Sequence, residues 1–344
     1  MPLVRSRAPL RISFCGGGTD VSPYLEEFGG VVLSATIDKY AYCSLQPNGD
    51  KEIRVFSLDF DSIVRYRVED LGEYDSKFGI TKAVVKRMKL AEGINLFLHA
   101  DAPPGSGLGT SSAVTVALVG LVAEYLRLPM NQYEIAELAY AIERTELGIK
   151  GGRQDQYAAS FGGFNLIEFH ADNTVVTPLR IQPEILNELE YQLMLCYTGR
   201  TRLSSGILDE QIKRYQAKNK DVMDAMRQIK EITYKMKDSL VQGRLYEFGD
   251  SLDVAWQLKK QMNPLVTDSG IDGLYAVAKE HGAIGGKILG AGGGGYLLLF
   301  CPFQKKHKVA RALQARDGQI VDFRFERMGL QAWRVNSDRF PLEL

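Results

Sequence analysis

The 344-residue sequence is long enough for two domains, and 42 Lys and Arg balance 42 Asp and Glu, so no global field favours nucleic acid or a membrane surface. Apolar residues make up 45% and charged residues 24%, as in ordinary globular chains, and no segment holds the ~20 apolar residues of a membrane span. The opening MPLVRSRAPLRISF alternates apolar residues with Arg and Ser, as a strand does, and lacks a cleavage site, so no secretory leader is expected.

Residues 4–14 and 31–47 are predicted strands, with two shorter ones within 52–69. Pro23–Phe28 reads as a short helix. Helical spacing runs from Thr81 to Leu90 and stops near Gly93. Asn95–Ala100 is a strand, PPGSGLGTSS a loop, and Ser112–Leu126 and Gln132–Thr145 are helices. A GIKGG turn precedes a short helix at Gln154–Phe161. Strands follow near Phe164–Phe169, Val175–Leu179 and Tyr191–Tyr197. From Ser204 to Met262 the pattern is helical, broken near Lys218–Lys220 and at Gly243. The run Lys213, Arg214, Lys218, Lys220 reads as a solvated helix face. Ile271–His281 is a helix. A strand, a second glycine loop (Gly290–Gly295), the strand Tyr296–Cys301, a helix and two strands close the chain. The β-rich part yields to a helix-rich part near residue 185, so domains are expected at 1–185 and 186–344. Strands and helices do not alternate regularly, which predicts α+β rather than a doubly wound sheet. Cys15, Cys43, Cys196 and Cys301 lie far apart in apolar stretches and read as small buried hydrophobes, consistent with a reducing cytoplasm.

The strongest local signal for function is Pro103–Ala113. Gly105, Gly107 and Gly109 let the backbone turn tightly and approach a ligand. The helix start that follows offers unpaired N–H groups and a positive dipole end to an anion. Thr110, Ser111 and Ser112 add hydroxyls able to cap the helix, donate to phosphate or ligate Mg²⁺. A plain glycine turn with a Ser/Thr cap is the alternative. A Walker loop is excluded because no GK[ST] follows. A dinucleotide fold is disfavoured because the next element after the helix is another helix. Gly290–Gly295 satisfies GxGxxG but runs into a strand, so these glycines are expected to let one backbone pass close to another, or to the phosphate loop.

Four acidic residues stand out. Asp20 follows three glycines and Thr19; it caps a helix or accepts from a pair of sugar hydroxyls. Glu143 and Glu146 are one helical turn apart and read alone as a solvated face. Asp155, between Gln154 and Gln156 at the head of an apolar run, is a helix-start charge or an active-site group.

Together these segments resemble the GHMP kinases, over essentially the whole chain. APLRISFCGGGTD is similar to the family's first motif, PPGSGLGTSSA to its phosphate loop, and KILGAGGGGYLLL from Lys287 to its third motif. Glu143 and Asp155 are twelve residues apart, as are the metal-binding Glu and catalytic Asp of galactokinase-like members. GGRQDQYAASFGG and YTGRTRLSS look most like the branch acting on heptose 7-phosphates at the anomeric hydroxyl. The fucokinase-like branch is the nearest competitor; it carries Trp where this chain has Gly18, and the smaller residue is expected to leave room for a larger sugar. A non-catalytic sugar sensor is the remaining alternative, against which the acid pair speaks.

The resemblance implies a ribosomal protein S5 domain 2-like N-terminal domain, a ferredoxin-like C-terminal domain and a cleft between them. It implies ATP held by Pro104, Gly105, Ser106, Gly107, Leu108, Gly109, Thr110, Ser111 and Ser112. Mg²⁺ would be held by Ser111 and Glu143. Asp155 would be the proton acceptor, with Arg11 beside it. Gly17, Gly18, Thr19, Asp20, Arg153 and Arg202 would bind the substrate, a phosphosugar, with Lys82 and Lys150 as further cations for its phosphate. No nucleic-acid or membrane partner is expected, and a homo-oligomer is left open.

Overall fold

The computed structural model describes residues 3–336, apart from 60, 71, 73–77 and 202–204. The N-terminal half contributes strands β1 (Leu3–Cys15), β2 (Gly30–Pro47), β3 (Glu52–Ser57), β4 (Ser62–Arg67), β5 (Ile94–Ala100), β6 (Phe164–Phe169) and β7 (Thr174–Pro178). Its helices are α1 (Tyr24–Phe28), α2 (Gly79–Arg87), α3 (Thr110–Leu126), α4 (Gln132–Tyr140) and α5 (Gln154–Phe161), with a wide π-helical turn at Ala141–Glu146. The second half holds α6 (Pro183–Gln192), β8 (Leu193–Tyr197), α7 (Ser205–Gln216), α8 (Lys220–Val241), α9 (Leu245–Met262), α10 (Ser269–Glu280), β9 (Gly285–Ile288), β10 (Tyr296–Phe300), α11 (Phe303–Gln314), β11 (Gln319–Val321), β12 (Phe325–Glu326) and β13 (Gln331–Val335).

Among the described residues, two sheets form. The larger runs β13-β1-β2-β5-β3-β4, with β6 and β12 on the other stretch of the long β2 and β7 beyond β6. Its pairings are antiparallel except β3 with β5. β1 is buried almost throughout, as a strand covered on both faces must be; α3, α5, α8 and α9 pack against it. β4 alternates exposed and half-buried residues, the pattern of a solvated edge. The smaller sheet, β11-β8-β10-β9, is wholly antiparallel.

α3 is apolar nearly all round, with Val116, Ala117, Val119, Leu121 and Val122 buried, which makes it a central helix. α8 is amphipathic: Val222, Met226, Ile229, Thr233, Met236 and Leu240 face inward, and Asn219 caps it by accepting from the Val222 N–H. Phe14 of β1 joins the two halves, with ring centroids 5.2 Å from Phe248 of α9 and 6.1 Å from Phe164 of β6.

The fold is α+β, as expected, with three differences of detail, the first being that α11 is followed by three strands, β11, β12 and β13, where two were expected. α6 was absent from the sequence reading, which began a strand at Tyr191; Pro183 opens this helix and the strand starts at Leu193. The division at residue 185 separates the two sheets only up to Val321. β12 then pairs with β2, and β13 with β1, Leu3 facing Val335, so the chain re-enters the first sheet. No helix among the described residues is long and apolar enough to cross a membrane.

Candidate functional site: a cleft between two glycine loops

The loop from Pro103 delivers the N-terminus of α3 into a cleft. Gly109 precedes the helix with φ +76°, and no side chain caps it. The plain Ser/Thr cap is therefore excluded, and the first N–H groups of α3 face the cleft without a side-chain acceptor. The Thr110 hydroxyl is buried there without a hydrogen-bond partner. An orphaned hydroxyl beside uncapped amides fits an anion with several acceptor oxygens, as a nucleotide phosphate has. Gly105, Gly107, Gly109, Thr110, Ser111 and Ser112 line the cleft; Pro104, Ser106 and Leu108 of the same loop do not.

Arg11 of β1 joins this loop to Asp155 in the first turn of α5. Its backbone N–H donates to Leu108 and its guanidinium to the Gly107 carbonyl. Nε and Nη2 lie 2.8 and 2.7 Å from Asp155 Oδ1. Both contacts fall on Oδ1, which leaves Oδ2 as an acceptor. A Cβ on Gly109 would make only ordinary contact with both side chains, at 3.4 Å, so it is the left-handed φ of +76° that favours glycine at this helix start.

Asp20 is buried opposite. It accepts from the Gly18 N–H at 2.9 Å and from the Gln154 N–H and Nε2 at 3.2 and 3.1 Å. It thus caps α5, not the helix next to it in sequence. Burial pushes its carboxyl up, while these hydrogen bonds pull the other way. Gly152 lies so near that a Cβ there would collide with Asp20 Oδ2.

Glu143 comes from the π-helical turn and is fully buried. Its carboxylate accepts from Ser111 Oγ at 3.1 Å, Ser112 Oγ at 2.7 Å and Gln156 Nε2. A Ser hydroxyl and one carboxylate beside a phosphate loop form a hard-oxygen donor set. That chemistry fits Mg²⁺, which is commonly held by one or two carboxylates together with substrate phosphates. Among the described residues no group of three or more His, Cys, Asp or Glu could hold a metal unaided.

The second glycine loop crosses the first, as its sequence suggested. Tyr296 N–H donates to Ser106, and a Cβ on Gly295 would strike the Ser106 carbonyl at 2.0 Å. Lys259 of α9 donates to the Gly290 carbonyl and lines the cleft. Lys287 of β9, behind it, donates to Ser13 at 2.6 Å, at a β-bulge of β1. Burial drives both lysines down, Lys287 to about 8.

Gly17, Gly18, Asp20 and Lys150 line the cleft, Lys150 paired with Asp209. Three expected substrate residues do not join them. The Thr19 hydroxyl is turned inward, donating to Gly16 and accepting from the Val31 N–H. Arg153 stacks over Tyr140, its guanidinium carbon 4.7 Å from the ring centroid. Lys82 lies over Tyr66. Arg202 is outside the described residues. The room expected at Gly18 is filled: a Cβ there would meet Met262 Cε at 2.9 Å and Gln211 Nε2 at 3.1 Å. Those two side-chain ends are flexible, so it is chiefly the left-handed φ of +104° that favours glycine at this position. Gln211 and Lys259 were missed. Each is a polar residue on the buried stripe of its helix, and that is the signal that could have found them.

Residues 78–163 match the GHMP kinases N terminal domain, and residues 236–318 the GHMP kinases C terminal family. The D-glycero-alpha-D-manno-heptose 7-phosphate kinase of Campylobacter jejuni is 38% identical over 341 residues, covering 97% of this chain and 100% of that protein. A solved D-glycero-D-manno-heptose 1-phosphate kinase from Bacteroides thetaiotaomicron is 34% identical with a TM-score of 0.82, covering 97% and 100%. Lactococcus lactis galactokinase, 18% identical with a TM-score of 0.77 and coverage of 96% and 95%, shares the fold.

Proposed function

The chain belongs to the GHMP kinase family, and from that premise we propose that it moves the γ-phosphoryl group of ATP onto the anomeric hydroxyl of a heptose 7-phosphate. The product would be a heptose 1,7-bisphosphate, for nucleotide-activated heptose synthesis. As a member of the family, the protein is a phosphotransferase with an alcohol acceptor. The heptose assignment is supported by the Campylobacter relative's description. The observation that carries the chemistry is the Arg11–Asp155 pair under the uncapped start of α3.

Phosphoryl transfer depends on positioning and charge neutralisation more than on covalent chemistry. The N–H groups at Gly105, Gly107 and Gly109–Ser112, with the Thr110 hydroxyl, hold the triphosphate. Ser111 and Glu143 would hold Mg²⁺, which would supply positive charge to offset the triphosphate. Asp20 and the backbone at Gly17 and Gly18 orient the sugar. The anomeric oxygen attacks the γ-phosphorus, the bond to the bridging oxygen breaks, and ADP leaves. Asp155 Oδ2 takes the hydroxyl proton while Arg11 fixes Oδ1.

The two heptose-kinase relatives carry descriptions with different phosphate positions, so position is what the experiment must read. Purified protein with ATP and Mg²⁺ is offered heptose 7-phosphate, heptose 1-phosphate, free heptose, fucose and galactose, and the product is examined by phosphorus NMR. A heptose 1,7-bisphosphate made from the 7-phosphate, with kcat/KM at least ~10²-fold above free heptose, is expected. Preference for fucose or for the 1-phosphate would sink the substrate assignment and leave the kinase standing.

A further inference from the structure

Lys259 lies in the last turn of α9, on the buried stripe with Leu252, Ala255 and Met262, and only 8% of it is exposed. Lysines this deeply buried are normally paired with a carboxylate. The Lys259 ammonium instead meets the neutral carbonyl of Gly290. Lys287 behind it also meets only a carbonyl, that of Ser13. Among the described residues, neither has an ion-pair partner within 4.0 Å. Arg11 is the third cation at this end of the cleft, and its partner Asp155 is already engaged. A carbonyl dipole does not neutralise a buried charge, and uncompensated buried charge is strongly unfavourable. The arrangement is therefore suited to a multiply charged anion arriving from the cleft.

We propose that Lys259 is a further phosphate-binding residue, its ammonium taking the oxygens of a phosphoryl group held above the crossing of Gly107 and Gly290. The inference rests on the kinase reading of the same cleft and deepens it with a cation supplied by the second half of the chain. Two sources offer this chemistry: the γ-phosphoryl group of ATP and the phosphate carried by the sugar.

Protonation provides a second readout. Burial, Lys287 of β9 and Arg11 of β1 push Lys259 toward the neutral form, while Asp20 and Cys15 at the end of β1 oppose them. A bound dianion favours the ammonium, so binding should draw a proton from solvent.

The test is titration calorimetry at pH 7.5 in two buffers of different ionisation enthalpy. The ligands are ADP, a non-hydrolysable ATP analogue, free heptose and heptose 7-phosphate. Wild type is compared with Lys259→Met and with Lys259→Gln, which keeps a donor for Gly290 but no charge. Both variants should lose roughly 10–100-fold in affinity for a phosphate-bearing ligand, the scale of one charged hydrogen bond, together with its proton uptake. ADP and free heptose should bind as before. Loss confined to the ATP analogue identifies the γ-phosphoryl group, and loss confined to heptose 7-phosphate identifies the sugar's own phosphate. Unchanged affinity for all four ligands overturns the proposal. So does an equal loss for all four, or a loss in the Met variant that Gln restores, either of which marks a lysine that only holds the Gly290 loop. These are equilibrium measurements, and the nucleotide arm survives even if wild type fails to turn over heptose 7-phosphate.

Discussion

A Cβ placed on Gly290 would lie 2.6 Å from the Cα of Gly107. The two glycine loops thus touch backbone to backbone, with φ at +65° and +88°. Gly290→Ala combines this collision with a left-handed backbone, and a loss of about 1–3 kcal/mol of stability is expected. Because the displaced partner is the phosphate loop, KM for ATP should rise as well. Thermal melts with ATP saturation curves check both; a KM equal to wild type would mean that the loops are not coupled.

Thr110→Val separates binding from stability. The Thr110 hydroxyl is buried without a partner, so its removal relieves an unsatisfied group at nearly constant shape. Stability should hold or rise slightly. KM for ATP should rise by about 10-fold if that hydroxyl donates to a phosphate. A variant that is destabilised, with unchanged KM, would make Thr110 a structural residue.

Asp155→Asn tests the proton acceptor. The amide keeps the shape but removes the charge and leaves Arg11 with a weaker partner. A drop in kcat of roughly 10²–10⁴ is expected, with ATP affinity little changed. Near-normal kcat would rule out Asp155 as the base.

Lys287 predicts a signed pH dependence. Its folded pKa, about 8, lies below the ordinary lysine value near 10.4. Between these values the unfolded chain holds a proton that the folded chain does not, so stability rises with pH there. Below pH 8 the buried charge destabilises the fold by up to ~3 kcal/mol, against ~1 kcal/mol gained from the Ser13 hydrogen bond. Lys287→Met should therefore be more stable than wild type at pH 7, with the gap closing between pH 8 and 10.5. Denaturant midpoints across that range give the answer, and a constant gap would contradict it.

Features encoded by neighbours in sequence were legible. The glycine–hydroxyl run leading into α3 announced a helix start behind a tight glycine turn, and the breaks at Lys218 and Gly243 bounded α8 correctly. Features made by distant residues were not. Gly18 looked like empty space because Met262 and Gln211, which fill it, come from the end of α9 and the buried stripe of α7. Asp20 looked like a cap for α1, yet its acceptors serve Gln154, 134 positions on. Arg11 and Asp155 were paired by family resemblance, since nothing local in either segment requires it. β12 and β13 carry no mark of which sheet they join. Their pairing depends on unsatisfied edges of β1 and β2 more than 280 residues earlier.

That last pairing bears on how the chain is born. Arg5 faces Trp333 and Leu3 faces Val335 across β1 and β13. A nascent chain leaving the ribosome exposes the open edge of β1 throughout the synthesis of everything between them. Contacts of such sequence separation form late, and unpaired edges invite association with other chains. The central sheet can close only once β13 has emerged, so native folding of this enzyme is expected to finish after translation has reached the last strand.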